Sequence, residues 1–145
     1  MDEYKSLAQV SLFLIDQTSK LSKQYSQKIF DDLGIDIHID QWVLLKIIEE
    51  NIPMSQKELA DKSHRDPASI TRTIDILEKK QFVSRERMAK DRRQYLICLS
   101  KKGKAFIDQN MPIVQQMRAQ SLDGFKEKEI QTLNDLLLKM QSNLT

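Results

Sequence analysis

Phe82-Val83-Ser84-Arg85-Glu86-Arg87-Met88-Ala89-Lys90-Asp91-Arg92-Arg93-Gln94-Tyr95-Leu96-Ile97-Cys98-Leu99 is the stretch on which the reading of this chain turns. Between Arg85 and Arg93 it packs five basic side chains (Arg85, Arg87, Lys90, Arg92, Arg93) into nine residues, opposed only by Glu86 and Asp91. Short β-prone runs flank the charges, Phe82-Val83 before them and Tyr95 to Leu99 after. Two such runs around a polar tip predict a hairpin, Phe82 to Arg87 against Gln94 to Leu99, with Tyr95, Ile97 and Leu99 on one face. A hairpin tipped with arginine is a poor core element and a good probe for a phosphate-lined groove.

Upstream of the hairpin the pattern is helical. Ser55 and Glu58 fit a Ser-x-x-Glu capping box, and Met54 is placed to staple onto Leu59. After the polar turn Lys62-Ser63-His64-Arg65, Asp66 can cap a further helix with Pro67 at its first position, where the missing N–H costs nothing. Ile70, Ile74 and Leu77 line one face of that helix; Arg72, Asp75 and Lys79 lie opposite, with Ser69 and Thr71 on the flanks. Two helices joined by a tight turn and followed by a basic two-stranded wing predict a mainly α protein with a winged helix-turn-helix over residues 35–99.

The flanking segments carry more apolar surface than that lobe can cover. About residues 5 to 32, the residues Leu7, Val10, Leu14, Leu21, Tyr25 and Ile29 recur at helical spacing, and Gly34 is a fitting stop. At ~1.5 Å per residue such a helix runs about 40 Å. Asp40 is placed to cap a second helix, Gln41 to Ile48, apolar almost all round and so central. Beyond Ser100 a fifth helix holds Ala105, Phe106, Met111, Ile113, Val114 and Met117, with Pro112 expected to kink it. Gly124 precedes a last helix striped by Ile130, Leu133, Leu137, Met140 and Leu144. Residues 1–34 and 100–145 are therefore predicted to form a helical dimerisation lobe. Trp42, Tyr25 and Phe30 are expected in the core.

Net charge over the 145 residues is only +2, but its distribution is uneven. Residues 55–102 hold thirteen Lys/Arg against seven Asp/Glu, net +6, while the remainder hold ten against fourteen, net −4. Basic charge gathered in one segment points to a localised anionic partner. Met1-Asp2-Glu3-Tyr4 lacks the basic and apolar regions of a signal peptide, and no run approaches membrane-spanning length, so a cytoplasmic protein with no membrane partner is expected. A single cysteine, Cys98, excludes an internal disulfide. His38 and His64 are too few and isolated for a metal site, and no cofactor is implied. No glycine-rich phosphate loop, clustered His/Cys/Asp set or Ser-His pair supports an enzyme.

From Ser55-Gln56-Lys57-Glu58-Leu59-Ala60, through Ser69-Ile70-Thr71-Arg72 and Leu77-Glu78-Lys79-Lys80, to Asp91-Arg92-Arg93 and Leu99-Ser100-Lys101-Lys102-Gly103, the chain resembles the MarR family of bacterial winged helix-turn-helix transcriptional regulators. The order of elements matches over essentially the whole chain, and Asp-Arg-Arg followed six residues later by Leu-Ser is the most specific piece. The resemblance implies a homodimeric, sequence-specific regulator, a repressor, on a pseudo-palindromic operator in double-stranded DNA, with a small aromatic or anionic compound as candidate effector at an unknown site. It matches Thr71 and Arg72 to major-groove positions, Arg93 to the wing arginine in the minor groove, and Asp91 to a carboxylate that braces the wing; the place of Ser69 on the helix and the charge density of the hairpin add Ser69, Arg85, Lys90 and Arg92 as expected DNA contacts. Gln81 departs from the pattern, standing where the family usually has glycine before the first wing strand, so strain or another cap is expected there.

The bland reading of Arg72 is an ion pair with Asp75 or Glu78 on its own helix. For Asp91 an ion pair within the wing would orient an arginine. Cys98, in a strand, lacks any sequence feature that lowers a thiol pKa, and the family's reactive cysteine lies near the start of the first helix, where this chain has none. The alternative function is a winged-helix protein-interaction module that has lost DNA binding; the net +6 of the winged segment stands against it.

Overall fold

Val10 decides where the first long helix begins. In the computed structural model, which describes residues 6–145, its backbone is extended (φ −96°, ψ 115°), so a 3-10 turn at Leu7–Gln9 precedes it and helix α1 spans Ser11–Asp32. The helix expected from about residue 5 is therefore shorter, some 33 Å at 1.5 Å per residue. A β-branched residue without a side-chain acceptor favours this extended break over another helical turn. Both the reading of Met1 to Tyr4 and the start of the expected helix at residue 5 lie outside the described residues. Gly34 follows α1 with φ +67°, the left-handed stop anticipated for it.

Helix α2 spans Ile39–Glu50, and its cap is His38 rather than Asp40. His38 Nδ1 accepts the Asp40 N–H at 3.2 Å, and Gln41 Oε1 accepts the His38 N–H at 3.0 Å, a reciprocal capping box. Asp40 falls in the first turn, where a carboxylate suits the helix dipole, and lies 3.4 Å from both Lys23 Nζ and Arg65 Nη2. The near all-round apolarity of α2 has the expected outcome: Trp42, Leu44, Leu45 and Ile48 are buried.

Helices α3, Gln56–Ser63, and α4, Pro67–Lys79, follow as predicted. Ser55 Oγ accepts the Glu58 N–H at 3.0 Å, and Asp66 Oδ1 accepts the Ser69 N–H at 2.9 Å. His64 closes α3 in the left-handed region at φ 54°. Burial of Ile70, Ile74 and Leu77 fixes which face of α4 looks inward, at about 1.5–3 kcal/mol for each side chain.

The hairpin strands are β2, Val83–Arg87, and β3, Tyr95–Leu99, paired antiparallel from Val83↔Leu99 to Arg87↔Tyr95. A two-residue strand β1, Met54–Ser55, adds to the far edge of β3 and makes the order β1-β3-β2. That third strand was not foreseen, because two residues beside a helix cap carry no periodicity. Phe30 meets Trp42 edge-on at 6.0 Å, and Phe106 reaches both Trp42 at 6.1 Å and Phe82 at 4.4 Å. Tyr25, expected in this core, is 46% exposed, because α1 buries only Phe30.

Helix α5 runs Lys101–Ser121 through Pro112, and α6 spans Glu127–Asn143 after Gly124 at φ +81°. Ser100 ties the base of the hairpin to the start of α5: its Oγ accepts the Gly103 N–H at 2.9 Å and donates toward the Gln81 and Phe82 carbonyls at 2.6 and 3.0 Å. A Cβ on Gly103 would lie 2.2 Å from the Phe82 carbonyl oxygen, so only glycine fits this approach. The chain divides into two compact units, one up to Met111 and one from Pro112 onward. No residue of α6 is buried, and Leu133, Leu136, Leu138 and Leu144 are exposed.

Candidate nucleic-acid interface

Helix α4 presents its outward face because Ile70, Ile74 and Leu77 occupy the inward one. Thr71 and Arg72 are exposed near its amino-terminal end, and Ser69 is half-buried beside the cap. Thr71 is held: its hydroxyl donates to the Pro67 carbonyl at 3.0 Å and accepts from Gln56 Nε2 at 2.9 Å. Arg72 makes no ion pair among the described residues, although Asp75 and Glu78 lie within a turn or two on its own helix. Those carboxylates are engaged by Arg85 from strand β2.

The Arg85 side chain is 18% exposed, with Nη2 at 2.5 Å from Asp75 Oδ1 and 3.2 Å from Glu78 Oε1. Its backbone N–H donates to Glu78 Oε2 at 3.2 Å, so one carboxylate grips both the main chain and the side chain of one residue. Burial would lower its pKa, but Glu78 and Asp75 outweigh that, and it stays above its usual value. Arg85 and Arg87 stand over the Tyr95 ring at 5.5 and 5.3 Å, as the Arg87↔Tyr95 register allows.

The wing tip, Met88 to Gln94, is closed by Met88 N–H to Gln94 carbonyl and Gln94 N–H to Asp91 carbonyl bonds, both 3.0 Å. Asp91 acts on the backbone: Oδ1 accepts the Arg93 N–H at 3.0 Å, and Oδ2 the Gln94 amide at 3.4 Å. No ion pair to an arginine forms at Asp91 among the described residues; the carboxylate shapes the turn that carries Arg92 and Arg93. Arg87 Nη1 donates to the Arg92 carbonyl at 2.7 Å across the same tip. Lys90, Arg92 and Arg93 are exposed and free of carboxylate partners among the described residues.

Sequence reasoning missed the Gln56–Thr71 bond and the partners of Arg85. The first joins residues fifteen apart and the second residues seven and ten apart, so each appears only once the helix angle and the hairpin register are known.

Other polar features do not enlarge the interface. Burial, helped by the Glu86 carboxylate, raises the Cys98 pKa, the opposite of the shift that activates a thiol. Among the described residues no three His, Cys, Asp or Glu side chains gather as a metal site, and no helix is long and apolar enough to cross a membrane. An open cleft of about 330 Å³ lies between the end of α1, the loop before α2, and α4. Asp31 and Asp36 line it, and its Lys80 is already paired with Asp36 at 2.8 Å, which makes it a poor receptor for an anion.

Comparison with known proteins agrees with this geometry. Residues 37–95 match the MarR family. The chain is similar to a mutant of MarR from E. coli solved with operator DNA, at 25% identity, covering 88% of this chain and 90% of that one, TM-score 0.78. It is similar in fold to MepR from S. aureus in a DNA complex (22% identity, 97% and 100% covered, TM-score 0.80). BpsR from Bordetella bronchiseptica, whose DNA binding is regulated by 6-hydroxynicotinic acid, also shares the fold (19% identity, 96% and 98% covered, TM-score 0.85).

Proposed function

We propose that the chain is a MarR-family transcriptional regulator, not an enzyme, that acts through its winged segment, where residues 37–95 match the family, as a homodimeric repressor on a pseudo-palindromic operator. The observation that carries this reading is Arg72. It stands exposed at the front of α4 with no carboxylate partner among the described residues, while the two acids nearest it on α4 are held by Arg85. An arginine kept unpaired on an outward helix face is available for guanine in a major groove, the strongest single reader of sequence.

In this reading α4 enters the major groove amino-terminus first, with Ser69, Thr71 and Arg72 toward bases and phosphates. Lys90, Arg92 and Arg93 at the wing tip reach the adjacent minor groove, where arginine senses groove width and A·T-rich steps. Asp91 braces that tip. The exposed leucines of α1 and α6 support dimerisation through a lobe of residues 1–34 and 100–145, leaving residues 35–99 to DNA. A twofold pair sets its recognition helices one DNA turn apart, ~34 Å.

A small aromatic or anionic effector releases the operator in this proposal, as 6-hydroxynicotinic acid regulates BpsR. Such a compound shifts the equilibrium only by preferring one arrangement of the dimer over the other. The protein works in the cytoplasm, where its DNA is.

Duplex binding measured against salt tests the reading. A regulator loses affinity linearly on a log–log plot as phosphate counterions are released. A flat response would instead favour a protein-interaction module that has lost DNA binding.

A further inference from the structure

We propose that Arg85 is a positioning residue that locks the wing to helix α4 at a fixed angle and makes no DNA contact of its own. The inference rests on the operator-binding reading above and concerns the same interface. It departs from what the charge density of the hairpin alone implies for this residue, which would place Arg85 among the DNA contacts.

Four attachments converge on Arg85. Its guanidinium takes Asp75 and Glu78 from α4, its backbone N–H takes the second oxygen of Glu78, its side chain crosses the Tyr95 ring, and its position in β2 faces the fully buried Ile97 of β3. A phosphate approaching this guanidinium would have to displace two carboxylates at hydrogen-bond distance, with little of the side chain open to it. By contrast Arg92 and Arg93, one turn of hairpin away, are exposed.

Helix and wing read different grooves, so their relative angle decides whether both can seat at once. Asp75 and Glu78 are one helical turn apart on one face of α4, and Arg85 Nη2 donates to both while the guanidinium carbon stands over the Tyr95 ring; a lysine ammonium on a shorter stem offers no planar group to stack there. Holding the wing in the bound geometry beforehand removes the ordering cost it would otherwise carry on binding.

The test uses a full-length Asp75→Asn/Glu78→Gln double variant and an Arg85→Lys variant, each checked for an unchanged thermal transition. They are titrated against a duplex selected by the wild-type protein and against the same duplex with its A·T-rich flanks replaced. The double variant removes two negative charges per chain beside the DNA, so electrostatics alone would tighten binding. The positioning role requires the opposite sign: affinity for the selected duplex falls severalfold, preference for the flanks disappears, and the salt slope flattens as wing–phosphate contacts are lost. Arg85→Lys, which keeps the charge and loses the planar guanidinium between the two acids and Tyr95, should behave the same way. Tighter binding by the double variant with flank preference kept, or an Arg85→Lys variant indistinguishable from wild type, would overturn the proposal while leaving the regulator reading intact. If one variant fails to fold, the other decides alone. Failure of the wild-type protein to bind any duplex would remove the regulator reading itself.

Discussion

Gln56 Nε2 donates to Thr71 Oγ1 at 2.9 Å, and the Thr71 hydroxyl donates onward to the Pro67 carbonyl at 3.0 Å, so the only proton on that hydroxyl is already committed. Toward DNA, Thr71 therefore offers a methyl group and a spare lone pair. That suits a thymine methyl, or the exocyclic amino group of adenine or cytosine, and disfavours the acceptor edge of guanine. Gln56 occupies a lone pair and so fixes which way the hydroxyl turns; replacing it by Ala frees the hydroxyl to rotate off Pro67 and should broaden base preference at the one symmetric position facing Thr71 and nowhere else. Stability should shift by less than about 1 kcal/mol, because the lost bond is offset by removal of the buried Gln56 Oε1, which has no partner. Selection of bound sequences with wild type and variant reads the outcome directly; an unchanged preference at every position would show that Thr71 does not face a base.

Arg72 and Arg93 should fail in different ways. Arg72→Ala is expected to cost about 1–3 kcal/mol at one base position in each half-site, and little on duplexes already altered there. Arg93→Ala should weaken binding and relax preference for A·T-rich flanks while the central consensus stays. Titration of both variants on a panel of single-position duplexes separates them. Equal losses for Arg72→Ala on every sequence would make that residue a phosphate anchor.

Gln81 sits in the left-handed region at φ 64°, the strain its sequence position suggested. Relieving it with Gln81→Gly should stabilise the chain by about 1 kcal/mol, since that conformation costs a residue with a Cβ roughly 1–2 kcal/mol. The bond from Ser100 to the Gln81 carbonyl is made to the backbone and survives the change. Gly103→Ala tests the opposite sense, because its methyl would lie 2.2 Å from the Phe82 carbonyl oxygen. It should destabilise by about 1–3 kcal/mol or more. Urea denaturation midpoints that move the other way in either variant would contradict this account of the α4–β2 and β3–α5 joints.

Glu49 gives the fold an acid limb. A hydrogen bond from Lys46 holds its carboxyl below the ordinary range, and Lys104 at 3.0 Å adds to this against the opposing effect of burial. A carboxylate whose folded pKa is depressed contributes stability above its unfolded pKa, near 4.3, and that contribution is lost as pH falls through the folded value. Glu49→Gln should therefore lower the urea midpoint at neutral pH, and the deficit should narrow in acid, as pH falls through the depressed folded pKa and the wild-type carboxyl also loses its charge. Equal deficits at neutral and acid pH would assign the effect to packing instead of charge.

How far the sequence could be read follows from the range over which each feature acts. Helix α4 was legible because Asp66, Pro67 and the Ile70, Ile74, Leu77 stripe act within a few residues of one another. The wing was legible because its strands alternate and its tip is charged. His38 and Asp40 are both competent caps two residues apart, and only the backbone shows which one precedes the helix. Tyr25 lies on a helical stripe that the periodicity marks as apolar without saying that a single chain leaves it open. Arg85 was the most instructive case. Charge density placed it with Arg92 and Arg93, whereas Asp75 and Glu78, which hold it, reach it only across the joint between helix and hairpin.

Selection of bound duplexes from a random pool by the purified full-length chain tests the central claim most directly. The account predicts a two-fold symmetric consensus with half-site centres about one DNA turn apart, ~34 Å, flanked by A·T-rich steps. An enriched sequence without symmetry, or no enrichment at low salt, would contradict it.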